Sequence, residues 1–74
     1  MPDNNSAVRL VIAGLFDGLV KRVGDQVAFV AQAEKVRMGV YVGTLDATEV
    51  RLMITFVAGQ ERARPPMLIA TILP

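Results

Sequence analysis

Gly24-Asp25-Gln26-Val27-Ala28-Phe29-Val30-Ala31 carries the clearest fold signal in this sequence. Apolar residues stand at Val27, Phe29 and Ala31, every second position. A period of two belongs to a strand, because successive side chains point to opposite faces. Gly39 follows, then Tyr41, Leu45-Asp46 and a second alternating run, Val50, Leu52, Ile54 and Phe56. A glycine inside a strand marks a sharp bend or a close backbone approach. The spacing predicts a short, strongly bent β-sheet.

Outward from that stretch, Gln26–Gln32 reads as a first strand and 33–35 as a turn. A second strand runs from Val36 through Gly39 to Gly43, and a tight connection, Thr44–Thr48, leads to a third over Glu49–Val57. The stretch Ala58–Pro66 reads as a charged loop closed by Pro65-Pro66, since proline has no amide to give to a ladder. Met67–Leu73 is a final apolar strand. Upstream, residues 1–5 read as a disordered leader, and residues 6–74 as one domain. Val8, Val11, Ile12, Leu15, Phe16, Leu19, Val20 and Val23 recur at helical spacing behind a capping Ser6. That predicts an N-terminal helix over about 6–22, ended at Gly24. Gly14 and Gly18 each weaken such a helix by about 1 kcal/mol relative to alanine. Either they permit close packing onto the sheet, or the segment is a strand turning at Asp17-Gly18.

The chain has 74 residues, of which 53% are hydrophobic, with a mean hydropathy of +0.44. A domain of that size buries only about 60% of its unfolded surface. It has no cysteine to staple it. More apolar surface is present than one small barrel hides, which predicts a homo-oligomer. The absence of histidine and cysteine removes the usual nucleophile–base pairs and metal ligands, and no Gly-rich phosphate loop is present. The reading is therefore of no enzyme, no cofactor, no metal and no small-molecule substrate. A net charge of +1 does not announce a nucleic-acid binder, but it leaves room for a local basic patch repeated by symmetry. No signal peptide and no apolar run of about 18 residues stands in the sequence. A cytoplasmic setting and no membrane association are expected.

Gly24-Asp-Gln-Val27-Ala-Phe29, Gly39-Val-Tyr41 and Leu45-Asp46-Ala47-Thr48-Glu49-Val50-Arg51-Leu52 resemble the strands and turn of the Sm/Sm-like (LSm) family, part of an Hfq-like superfamily. The resemblance implies a mainly all-β fold: an N-terminal helix, then a small, strongly bent antiparallel SH3-like barrel. Here its fifth strand would be short or missing. Gly24 and Gly39 would be its structural glycines. It also implies a ring, of five to seven subunits, joined edge to edge through the last strand. Met67, Leu68, Ile69, Ala70 and Ile72 would form that interface.

The resemblance further implies single-stranded RNA as partner, held at the turn Asp46, Ala47, Thr48 and Glu49. Members that bind uridine-rich RNA stack a base there and read its edge with an asparagine. Ala47 gives no stacking platform, and the Glu49 carboxylate accepts hydrogen bonds but repels phosphate. Arg62 and Arg64, in the loop before the prolines, are the best cationic candidates for phosphate. Glu61 beside them dilutes their charge. Binding is then expected to be weak, phosphate-dominated and poorly selective among bases. The alternative is a homo-oligomeric ring that scaffolds protein partners, its RNA site lost. Phe16, Phe29 and Phe56 lie on apolar stripes and read as core.

Overall fold

A computed structural model describes residues 7–30 and 33–74 of the chain. The expected leader, the Ser6 cap and the end of the expected first strand (Ala31, Gln32) lie outside the described residues. The strands are β1 (Ala7–Ile12), β2 (Phe16–Val23), β3 (Gln26–Phe29), β4 (Gly39–Leu45), β5 (Thr48–Phe56) and β6 (Leu68–Leu73). All neighbours are antiparallel, and the order β1-β2-β3-β6-β5-β4 closes on itself as a barrel. Two three-stranded meanders, β1-β2-β3 and β4-β5-β6, are thus sealed edge to edge along β3–β6 and β1–β4.

The expected N-terminal helix is not there. Its segment is the β1–β2 hairpin, which turns at Ala13-Gly14-Leu15 rather than at Asp17-Gly18. The Leu15 amide donates to the Ile12 carbonyl at 2.9 Å, and Gly14 holds φ +75° at the third place of that turn. A type II turn requires positive φ at that place, which glycine adopts without a steric cost. Leu10, Ile12, Phe16 and Val20 are buried, with Val8 packed against them, whereas Leu19 is 72% and Val23 54% exposed. Two runs of period two, reset by a three-residue turn, reproduce a period of 3.6 once the exposed Leu19 and Val23 are counted in. The expectation of a short or missing fifth strand falls with the helix, because the segment supplies two more strands.

The later strands stand close to their expected places. Gly24 is the first residue of a two-residue β2–β3 turn and has φ +59°. Gly39 opens β4, with φ +154°, rather than bending it in mid-strand. The close approach falls at Gly43 instead. A Cβ there would lie 2.9 Å from the Val11 carbonyl oxygen, 3.2 Å from Leu52 Cδ1 and 3.3 Å from Ile12 Cγ1. Gly43 is therefore what lets β4 lie against β1 and close the barrel. The Asp46 amide extends that seam by donating to the Arg9 carbonyl at 2.7 Å.

Alternation sends Leu10, Ile12, Val27, Leu45, Leu52, Ile54, Leu68 and Ala70 inward. The Phe16 and Phe29 rings meet inside with centroids 4.8 Å apart and planes tilted by 44°. The connection from β3 to β4 crosses one end of the barrel through a 3-10 turn, Ala33–Lys35, whose Ala33, with Val36 just after it, is buried. Among the described residues no helix is long and apolar enough to cross a membrane.

Candidate functional site

Strand direction sorts the connections to two ends. The loop end carries the β1–β2 turn, the 3-10 turn with its flanks, and the loop 57–67 between β5 and β6. The turn end carries Gly24-Asp25 and Asp46-Ala47.

At the loop end, the 57–67 loop is drawn together at its neck by the Val57 amide donating to the Met67 carbonyl at 2.9 Å. Within it, the Gln60 amide donates to Val57 at 2.9 Å and the Ala63 amide to Gln60 at 3.1 Å, so two successive turns present 61–64. Pro65 follows through a cis peptide bond. Opposite stands the 3-10 turn, held by Ala33 donating to Val30 at 3.1 Å and Val36 donating to Ala33 at 2.9 Å. Between the two lies a cleft of about 610 Å³. Its charged lining is Glu34, Glu61, Arg62 and Arg64, and its apolar walls are the half-buried Phe56 with Pro65 and Pro66. Lys35 and Arg37 flank Glu34 on the same connection. The Arg37 amide donates to the Tyr41 hydroxyl at 3.2 Å, which ties that flank to β4.

Among the described residues the cleft's charged side chains form no ion pair with one another. Among the described residues the single ion pair is Arg9–Asp17, on the outside of β1 and β2. Arg9 Nε donates to Oδ1 at 3.1 Å and Nη2 to Oδ2 at 3.0 Å, a two-pronged contact. That hydrogen bonding holds the Asp17 carboxyl below its ordinary range, although both groups face solvent. Arg9 is thereby engaged, while Arg62, Arg64, Glu34 and Glu61 form no ion pair among the described residues.

The other expected site residues lie elsewhere. Asp46 and Ala47 are the tip of the β4–β5 hairpin, with φ +48° and +70°, beside a second hollow of about 310 Å³ next to Arg9 and Val11. Thr48 and Glu49 begin β5, and Phe56 ends it. Eight residue steps along a strand put the two ends of β5 roughly 25 Å apart. The structure therefore does not bring Asp46, Ala47, Thr48 and Glu49 together with Arg62 and Arg64. What it does add to the arginines is Phe56, at the start of the same loop, and Glu34, which the closed barrel brings from the β3–β4 connection.

Of the expected interface, Leu68 and Ala70 face the core, Ile72 packs against it, Ile69 is half-buried and Met67 precedes the strand. Both edges of β6 are occupied within the chain. Apolar side chains are instead presented on the outside of β4 and β5. Val40 is 51%, Val42 59% and Met53 37% exposed, and Val40 is registered beside Met53. Among the described residues no three His, Cys, Asp or Glu side chains gather as ligands for a metal ion. Comparison with protein-family models, with curated proteins and with solved structures gives no match for this chain.

Proposed function

We propose that the barrel binds single-stranded RNA weakly at its loop end, with Arg62 and Arg64 on the phosphates. The observation that carries the reading is the pair of guanidinium groups, without an ion pair among the described residues, lining one cleft with Phe56. Lys35 lines a separate hollow against the β1–β2 turn and is not part of this cleft. Guanidinium forks match phosphate oxygens, and an aromatic wall offers a base a surface of its own. The sequence resemblance to Sm-like proteins supports the same partner class, though through a different part of the chain. Glu49 at the turn end plays no part in this reading.

Titration of a labelled oligonucleotide at two salt concentrations tests it. Each phosphate contact on a single strand contributes about 0.7 to the slope of log affinity against log salt. The Arg62→Ala, Arg64→Ala double variant is expected to bind every oligonucleotide more weakly and to lose about 1.4 from that slope. Glu49→Asn is expected to leave binding unchanged. A wild-type chain that binds nothing at low salt contradicts the proposal.

A second reading would then take its place: a homo-oligomeric scaffold for protein partners. The exposed Val40, Val42 and Met53 favour it, as does a chain too small to hide its apolar surface. With β6 paired on both sides, subunits of such an assembly would meet through outer faces rather than strand edges.

A further inference from the structure

We infer that the loop-end cleft selects guanine, with the Glu34 carboxylate reading the base while Arg62 and Arg64 hold the phosphate. This rests on the RNA reading above and deepens it. The cleft holds two guanidinium groups and two carboxylates, and the opposite charges do not pair among the described residues. A purely anionic ligand gains from Arg62 and Arg64 but is repelled by Glu34 and Glu61. A ligand with an anion at one end and adjacent N–H donors at the other satisfies both sets.

Nucleotides differ in that respect. A carboxylate accepts and cannot donate. Guanine presents N1–H and the N2 amino group side by side, matching both carboxylate oxygens. Adenine and cytosine each present one amino group beside an acceptor nitrogen that faces the carboxylate unfavourably. Uracil presents one N–H between two carbonyls. Glu34 is the better placed of the two carboxylates to read a base. Its 3-10 turn is pinned by the buried Ala33 on one side and the buried Val36 two residues on, and by two backbone hydrogen bonds. Glu61 stands on the exposed loop next to Arg62, where it moderates the charge of its neighbour. Phe56 and the two prolines give the base an apolar wall.

The test uses the full chain and short labelled uridine oligonucleotides carrying two isolated guanosines, two adenosines or two inosines. Inosine keeps N1–H and lacks the N2 amino group. Wild type is expected to bind the guanosine oligonucleotide about tenfold more tightly than the adenosine one, within the discrimination of a two-pronged contact, with inosine between them. Glu34→Gln is expected to bring the three together and to tighten the adenosine complex, because a negative charge has gone. Glu61→Gln is expected to tighten all three while keeping their ratio. Equal binding of guanosine and adenosine by wild type overturns the inference and leaves the RNA reading standing. A guanosine preference that survives Glu34→Gln overturns it too. No binding of any oligonucleotide at low salt overturns both.

Discussion

Ala47 holds a left-handed backbone, φ +70°, next to Asp46 at +48°. Positive φ at both central residues of a two-residue hairpin is the type I′ geometry, which asparagine and glycine adopt readily. Aspartate tolerates it; alanine does not, because its Cβ crowds the following carbonyl at a cost of roughly 1–2 kcal/mol. Ala47→Gly is therefore expected to stabilise the fold by about 1 kcal/mol, net of the entropy glycine adds to the unfolded chain. Thermal denaturation should show a melting temperature about 4–8 °C higher. An unchanged or lower value would mean that the turn has another conformation. The sequence marks Thr44–Thr48 as a tight connection, but Asp-Ala lacks the glycine that announces a type I′ turn. Its type became legible only from the backbone.

Among the elements, the seam between β1 and β4 decides whether the barrel closes. Gly43 permits it, since any Cβ there meets the Val11 carbonyl oxygen, which is backbone and cannot swing aside. Gly43→Ala is expected to cost about 1–3 kcal/mol, the range of overpacked interiors. Urea denaturation should place its midpoint clearly below that of wild type; equal midpoints would contradict the seam. Mid-strand glycine in a bent sheet was legible in the sequence, yet attached to Gly39. The distinction needs the partner strand, and the partner strand was hidden inside an apparent helix. Two signals pointed against that helix: Gly14 and Gly18 within it, and the β-branched Val8, Val11, Ile12, Val20 and Val23, which favour strands. The strands β3 and β5 were legible from their alternation, and β6 as an apolar run set off by the proline pair.

At the scale of the molecule, Arg62 and Arg64 were readable as cations in a loop before a proline pair. Glu34 was not readable as their companion, because it lies 27 residues before Glu61 (61 − 34) and meets the loop only when the barrel closes, whereas Phe56 borders the same loop and was read as core. The separation of the hairpin tip from the loop follows from the length of β5 alone and was open to the sequence once that strand was read. The approach of Glu34 was not, since it depends on which end of the barrel each connection occupies. The apolar surplus was also legible, and the structure locates part of it on the outside of β4 and β5.

In the proposed reading one end of the barrel, and not its hairpin tip, receives the ligand. Amide chemical-shift mapping of the isotopically labelled chain, titrated with a guanosine-containing single-stranded oligoribonucleotide at low salt, tests it most directly. Shifts confined to Glu34–Arg37, Phe56 and Glu61–Arg64 are expected, with Asp46–Glu49 and the outer face at Val40 and Val42 unmoved. Shifts centred on Asp46–Glu49, or on Val40, Val42 and Met53 with the loop end silent, would contradict it.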